Sequence, residues 1–248
     1  MLGAILILGA MKLAMNLGIL ETGMPPADLR DRFGSYGDMF RRLLGPGYRY
    51  TYYDARTGKL PDPLEGHEAY LITGSASGVY DGDPWIEALK TFIQALSGRT
   101  PLVGICFGHQ VMAEAYGGRV TRSPKGWGVG LHRYDIRDRA AWMNSDREPT
   151  LSIPVSHQDQ IVELPQGASV LAASEFTPYA VLEYPRRRAI SFQGHPEFSP
   201  EYAAALIDLR RGTRYQPDFA DAAIASLQEA NDAQRVAGWV RNFLSGSD

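Results

Sequence analysis

Apolar residues in this chain occur in short runs separated by amphipathic segments, a pattern typical of a buried parallel sheet covered by helices. Three such runs predict strands, at residues 17–20, 69–74 and 101–105, and residues 48–55, rich in aromatic and β-branched residues, predict a fourth. Helices are predicted between and after them, at residues 28–44, 84–97 and 108–118. The alternation predicts an α/β fold: an open, mostly parallel sheet with helices on both faces.

The pattern changes between Arg119 and His195, where short alternating stretches are punctuated by proline and glycine. Such stretches predict antiparallel or mixed strands. They lie at residues 128–136, 151–165, 168–174, 179–184 and 187–195. A helix should begin near Ser199 and Pro200, and a longer helix should occupy residues 219–243. Because no linker-like segment interrupts this order, we expect one domain.

The first residues, MLGAILILGAMKLA, are apolar enough to suggest a signal peptide. They are too short to span a bilayer, which takes about 20 residues, and they lack a basic leading region. They also run directly into the first predicted strand. We therefore interpret residues 1–15 as a short apolar extension or a misassigned start, with Met11 and Met15 as candidate true starts. The domain is expected to comprise residues 16–248.

Charge is balanced along the chain, with 25 basic and 28 acidic residues and a formal net charge of −3. Without a basic patch, neither nucleic acid nor an anionic membrane is an expected partner. The single cysteine excludes an internal disulfide and a CxxC metal site, which favours a reducing, cytoplasmic compartment. No metal-ligand spacing or phosphate-binding loop is present, so we expect neither a metal nor a cofactor.

The one cysteine, Cys106, lies between a predicted strand and a predicted helix, with Gly104 and Gly108 two residues to either side. This is the spacing of a nucleophile elbow with cysteine in place of serine. The start of a helix favours the thiolate, and the backbone N–H of Phe107 could donate to an oxyanion. The alternative is a buried core cysteine. Because a plain strand would not require both glycines, the elbow is favoured.

A thiolate of this kind needs a base that can also protonate a leaving group, and the chain has five histidines. His195 ranks first because it follows a predicted strand and Glu197 comes two residues later, on the same side of an extended chain. His-Pro-Glu could also be only a strand-to-helix turn. His157 ranks second and His109 follows the elbow directly. His67 and His132 are interpreted as packed or surface residues.

Four segments together carry a family resemblance: TGS at residues 73–75, PLVGICFGHQ at 101–110, SHQDQIVELP at 156–165 and GHPEF at 194–198. With them the sequence resembles the class I glutamine amidotransferases from about residue 16 to residue 210. It is similar to stand-alone members that resemble the glutaminase domain of GMP synthase, and to the γ-glutamyl peptidases. The resemblance implies a flavodoxin-like fold and a Cys-His-Glu triad.

By this resemblance, Cys106 attacks the γ-carbonyl of glutamine or of another γ-glutamyl amide and forms a γ-glutamyl thioester, which water resolves. His195 would protonate the departing amine and later activate the water. Glu197 would orient His195. The small-molecule γ-glutamyl compound would be the substrate, and no cofactor is implied.

The resemblance also implies a set of pocket residues. The oxyanion would be bound by the N–H of Phe107 and by a backbone N–H in the Gly74-Ser75 loop. The glutamyl group would be contacted by Gln110, Ser156 and His157.

Two features depart from the family pattern. The oxyanion loop often reads Ser-Gly-Gly-Pro in the family, whereas residues 73–76 read TGSA here. No segment after His195 resembles a synthase; only helices are predicted there.

Three functional hypotheses follow. The first is a hydrolase of γ-glutamyl amides that acts alone. The second is a glutaminase subunit that delivers ammonia to a separate synthase or ligase. The third is a non-catalytic regulatory module, with cysteine peptidase or chaperone relatives as a weaker alternative. The identity of the leaving amine and the oligomeric state are not predicted.

Overall fold

A computed structural model describes residues 14–63, 66–96, 98–143 and 147–246 of the chain. The extension predicted at the N-terminus lies almost entirely outside these residues. Eleven strands are described: β1 (Met15–Glu21), β2 (Tyr48–Asp54), β3 (Ala69–Ile72), β4 (Leu102–Ile105), β5 (Arg119–Arg122), β6 (Gly128–Ile136), β7 (Thr150–His157), β8 (Asp159–Glu163), β9 (Ser169–Ala173), β10 (Val181–Tyr184) and β11 (Ala189–Phe192). Seven α-helices accompany them: α1 (Ala27–Phe33), α2 (Tyr36–Leu44), α3 (Pro84–Leu96), α4 (Phe107–Ala115), α5 (Pro200–Leu209), α6 (Pro217–Ser226) and α7 (Ala233–Ser245).

Nine of these strands form one sheet in the order β2-β1-β3-β4-β11-β10-β9-β6-β7. The pairs from β2 to β11 are parallel, and the pairs from β11 to β7 are antiparallel. The predicted fold class, a mostly parallel sheet with an antiparallel section, is confirmed. The carboxyl ends of β1, β3, β4 and β11 lie side by side, and this is the edge where ligands bind in open α/β sheets.

The inner parallel strands β3, β4 and β11 are buried throughout because helices cover both faces of the sheet, whereas the edge strand β2 is partly exposed. On one face, Leu17 and Ile19 pack in a buried cluster with Phe40 of α2 and Trp239 of α7. On the other face, Leu20 packs with residues of α3 and α4. Consecutive strand residues point to opposite faces, so the sheet is buried on both sides.

Three predicted elements are wrong in their extent. The helix predicted at residues 28–44 is two helices, because Gly34 has a φ of +79° and Ser35 starts a new helix with a capping box to Asp38. The segment predicted as one strand at 151–165 is β7 and β8. β8 leaves the large sheet and pairs with β5 in a separate two-stranded sheet.

The helix predicted at residues 219–243 is also two helices, α6 and α7. Between them, Asp232 exchanges two hydrogen bonds with Ser152 on the edge strand β7, each 2.7 Å long. The chain is thus held to the sheet edge where a continuous helix would have run past it. That contact joins residues far apart in sequence, so periodicity alone does not reveal it.

Candidate active site

Cys106 occupies the turn between β4 and α4 with φ 52° and ψ −100°. A positive φ is uncommon for a residue with a Cβ, and it turns the chain sharply from strand to helix. The flanking glycines have no room for a side chain. A Cβ on Gly104 would lie 2.4 Å from Met112 Sδ, and one on Gly108 would lie 2.5 Å from the carbonyl oxygen of Ile72. The glycine spacing read from the sequence therefore corresponds to two close backbone approaches.

The start of α4 presents backbone donors beside Cys106. Phe107 is the first helical residue, so its N–H has no acceptor within the helix. The next N–H, of Gly108, donates to the Thr73 carbonyl at 3.2 Å and ties the elbow to the end of β3. Cys106 is only 5% exposed, and it lines a pocket of about 670 Å³.

His195 and Glu197 follow β11 and are paired inside the protein. The imidazole Nδ1 lies 2.8 Å from Glu197 Oε1, and the side chains are 5% and 0% exposed. The backbone N–H of His195 donates to the Pro154 carbonyl at 2.8 Å, and the Phe198 ring stacks on the imidazole at 3.9 Å and 6°. With Nδ1 committed to Glu197, Nε2 is the nitrogen available to Cys106.

Electrostatics couple the histidine to the cysteine. Burial lowers the pKa of His195, but the charges of the Cys106 thiolate and of Glu197, and the hydrogen bonds to both, outweigh it and raise the pKa to about 10. The structure thus brings Cys106, His195 and Glu197 together, and both neighbours favour the protonated form of His195.

Gly74 lies against both side chains, because a Cβ there would be 2.8 Å from His195 Cε1 and 3.6 Å from Cys106 Cβ. Its carbonyl accepts a hydrogen bond from Thr22 Oγ1 at 3.1 Å, on the side away from the pocket. Since N–H and C=O point in opposite directions in a trans peptide, the N–H of Ser75 points the other way. The Ser75 side chain has a separate partner, because its Oγ accepts a hydrogen bond from the Ser77 N–H at 3.1 Å. Thr22, which the sequence analysis missed, therefore orients this loop.

The predicted pocket residues take different positions. Gln110 lines the pocket, and its Nε2 donates to the Asp159 carbonyl at 2.8 Å and to Gln193 Oε1 at 3.2 Å. Ser156 also lines the pocket, with Oγ accepting from Arg210 Nη1 at 3.0 Å.

His157 borders the pocket, but its imidazole is buried against Phe176 and its Nδ1 lies 3.2 Å from the Asp159 carbonyl. Burial, and then the nearby His132, lowers the pKa of His157 to about 3, so the ring is neutral. No carboxylate is seen to orient it among the described residues, unlike His195.

The remaining histidines lie elsewhere. His109 is fully buried behind the elbow, with Nδ1 2.7 Å from Ser191 Oγ, and burial lowers its pKa to about 3. His67 lies 2.8 Å from Tyr53 OH, and His132 packs on Phe176.

Several pocket residues were missed by the sequence analysis. At one end of the pocket, Tyr80 OH donates to Asp159 Oδ2 at 2.9 Å and Asp81 is adjacent. Other lining residues are aromatic, apolar or basic: Tyr36, Trp127, Leu206, Arg210 and Arg214. They come from α2, α5 and two loops, and none stands in a motif.

Within the described ranges, no group of three or more His, Cys, Asp or Glu residues could hold a metal ion. In the same ranges, the helices are too short or too polar to cross a membrane.

Comparisons with known proteins bear on the family and the fold. The profile of the family described as glutamine amidotransferase class-I matches residues 48–208. Gamma-glutamyl peptidase 4 of Arabidopsis thaliana is 32% identical over 225 residues, which cover 86% of this chain and 88% of the relative. A glutamine-hydrolyzing GMP synthase of Aquifex aeolicus is 38% identical over 97 residues, or 39% of this chain and 19% of the synthase.

A solved structure of a glutamine amidotransferase of Thermotoga maritima superposes with a TM-score of 0.73 and 19% identity. The match covers 93% of this chain and 98% of that one. At this identity the likeness concerns the fold. Together, the comparisons confirm the resemblance and the fold class expected from the sequence.

Proposed function

Because the chain belongs to the class I glutamine amidotransferase family, we propose that it is a cysteine-dependent hydrolase of γ-glutamyl amide bonds, acting on glutamine or on γ-glutamyl amines and peptides. Relatives named γ-glutamyl peptidases, alignable over most of the chain, support hydrolysis as the activity. The observation that carries the proposal is the placement of Cys106 at a strand-helix elbow, in one pocket with His195, whose imidazole is paired with Glu197.

In the first step, the Cys106 thiolate attacks the γ-carbonyl carbon and forms a C–S bond, while the carbonyl π electrons move to oxygen. The backbone N–H groups of Phe107 and of the Gly74-Ser75 loop stabilise that oxyanion. The start of α4 positions the Phe107 N–H, and the hydrogen bond from Thr22 positions the Gly74-Ser75 loop. Stabilisation of charge that develops only in the transition state lowers the barrier.

In the second step, the His195 imidazolium gives its Nε2 proton to the amide nitrogen. The C–N bond breaks, the amine leaves and a γ-glutamyl thioester remains. Water then loses a proton to the neutral His195 and adds to the thioester. The C–S bond breaks, releasing glutamate and restoring the thiolate and the imidazolium. Glu197 accepts the Nδ1–H of His195 throughout, which keeps Nε2 directed at the reaction.

A second candidate function is a glutaminase subunit that delivers ammonia to a separate synthase. The match to one part of a glutamine-hydrolyzing GMP synthase favours it. A third, a regulatory module without catalysis, is opposed by the paired and buried His195 and Glu197.

The test is amine release by the purified protein from glutamine, from γ-glutamyl peptides and from γ-glutamyl amines. Cys106→Ala should abolish release, and acid quenching of the wild type should trap a γ-glutamyl adduct on Cys106 by mass spectrometry. A matched control is Glu183→Gln, since Glu183 pairs with Trp142 Nε1 at 2.8 Å away from the pocket. Turnover without a partner supports the hydrolase. Turnover of glutamine alone, stimulated by an added synthase, supports the subunit. If amine release does not depend on Cys106 in any condition, the regulatory module is the remaining hypothesis.

A further inference from the structure

The wall of the pocket beside His195 holds a guanidinium with an unusual set of partners. Arg210 follows the last residue of α5 and is half-buried. Its Nη1 donates to Ser156 Oγ at 3.0 Å and to Tyr215 OH at 3.3 Å. Both acceptors are neutral hydroxyls, which fix the position of the side chain without neutralising it. A guanidinium has five donors, so most of its capacity is left over.

No carboxylate pairs with Arg210 in the part of the chain that the structure describes. The adjacent Arg211 behaves differently, because it forms ion pairs with both Asp208 and Asp221. A partly buried charge is stabilised by an opposite charge, which an anionic ligand would supply to Arg210. Arg210 lines the same pocket as Cys106.

A second cation lies next to Arg210. The Arg214 guanidinium stacks 5.0 Å above the Trp127 ring, which in turn makes an edge contact with Tyr215. Arg214 is exposed and lines the pocket. The two arginines make this wall positively charged. An anion entering there would meet the held guanidinium of Arg210 and the exposed guanidinium of Arg214.

The position of this wall relative to the chemistry decides which half of a substrate it contacts. Tyr36 lies within electrostatic reach of Arg210, Glu197 and Cys106, so the arginine is on the triad side of the pocket. Phe198, which stacks on His195, lies on the same side. In the proposed mechanism His195 protonates the departing amine, so a leaving group on the His195 side of the pocket would meet this wall.

Acidic groups also line the pocket. Asp159 and Asp81 lie there with Tyr80, and Gln110 donates to the Asp159 carbonyl. These acceptors are complementary to the α-ammonium group of a glutamyl moiety. Arg122 lines the pocket as well and acts electrostatically on Asp159 and Tyr80, so Arg210 and Arg214 are the lining cations for which the described residues show no acidic partner.

We propose that Arg210, assisted by Arg214, binds a carboxylate carried by the leaving amine, so that γ-glutamyl amino acids and γ-glutamyl peptides are preferred over glutamine and over γ-glutamyl derivatives of uncharged amines. The inference rests on the proposed hydrolysis at Cys106. Arginine suits this role because its planar fork matches a carboxylate and its charge does not titrate.

The experiment compares kcat/KM for γ-glutamylglycine and γ-glutamylglycinamide, which differ only in the carboxylate of the leaving group. The wild type should favour the acid by about 10- to 100-fold, the contribution expected from one charge-assisted hydrogen-bonded pair. In Arg210→Gln this ratio should fall to near one. Arg210→Lys, which keeps the charge but not the fork, should give an intermediate ratio. Arg211→Gln, the neighbour with its own acidic partners, should keep the wild-type ratio.

Thermal unfolding of each variant checks that the fold is retained, and the ratio cancels any uniform loss of active enzyme. A wild-type ratio near one would overturn the proposal. A ratio that Arg210→Gln leaves unchanged, with both substrates impaired equally, would also overturn it and assign Arg210 to the glutamyl half. These two outcomes can be measured only if turnover of the two substrates depends on Cys106. Its absence for both substrates and for glutamine would instead remove the proposed hydrolysis, and this inference with it.

Discussion

At the scale of single residues, the properties of Cys106 and His195 depend on each other. In an isolated peptide, an imidazole loses its proton near pH 6.5. Inside the protein, burial alone would push the His195 pKa down, as it does for His109 and His157. The opposite charges of the thiolate and Glu197 reverse the direction for His195 alone. Sequence position thus does not decide which histidine is charged; its neighbours do.

Replacing Cys106 by Ala should lower the pKa of His195, because the variant removes both the thiolate charge and the hydrogen bond that hold the proton. NMR titration of the His195 ring protons measures this. His109, whose pKa is set by burial and not by Cys106, serves as the internal control. An unchanged His195 pKa would mean that the two side chains are not coupled.

Glu197→Gln should reduce kcat/KM by about 10²- to 10⁴-fold, because the imidazolium loses its charged partner and its fixed tautomer. Steady-state release of amine from the best substrate is the measurement. Glu183→Gln, a carboxylate that bonds Trp142, is the matched control and should retain activity. A loss of less than threefold in Glu197→Gln would speak against a role for this carboxylate.

At the scale of elements, the junction of β4 with α4 is the most constrained part of the chain. The helix comes so close to β3 and β4 that Gly104 and Gly108 face backbone or sulfur atoms at less than 3 Å from a hypothetical Cβ. Overpacking against a backbone oxygen cannot be relieved by rotating a side chain. The elbow therefore depends on packing between elements as much as on its own turn.

Gly108→Ala should destabilise the protein by about 1 to 3 kcal/mol, since its Cβ would meet the Ile72 carbonyl oxygen at 2.5 Å. Gly238→Ala is the control: it lies within α7, where a Cβ meets nothing closer than Arg241 Nη2 at 4.0 Å. That change should stabilise by up to about 1 kcal/mol through helix propensity. Urea unfolding compares both with the wild type, and equal effects in the two variants would refute the steric explanation.

At the scale of the whole molecule, the buried neutral histidines link folding to pH. The pKa values of His109 and His157 are lowered to about 3 in the folded state, mainly by burial. The unfolded chain protonates near pH 6.5. Between these values the unfolded state binds more protons, so the free energy of unfolding must fall as the pH falls. Each such histidine contributes a slope of up to about 1.4 kcal/mol per pH unit.

His109→Gln should therefore show a shallower decline of the free energy of unfolding between pH 6 and 4 than the wild type, whatever its absolute stability. Chemical denaturation at several pH values measures the slope. Above pH 7.5, His109 is neutral in both states, so the two slopes should coincide there and provide the control. A variant with the wild-type slope at low pH would show that His109 does not carry this linkage.

The sequence by itself determined the elements that depend on neighbouring residues. Apolar runs located the parallel strands because a sheet buried on both faces needs them, and the Gly104–Cys106–Gly108 spacing located the elbow because a sharp turn needs glycine. The breaks at Gly34 and between α6 and α7 were missed, although the Gly-Ser pair after Phe33 was a readable signal. The second break depends on a distant partner.

Only the tertiary structure determined which side chains line the pocket and which contacts hold them in place. Thr22 orients the loop after β3 across 52 residues, and Ser156 holds Arg210 across 54. Such contacts have no local pattern, because they arise when strand ends from separate parts of the chain meet at one sheet edge. The charge of an arginine can be read from the sequence, but whether any described carboxylate pairs with it is a property of the folded chain alone.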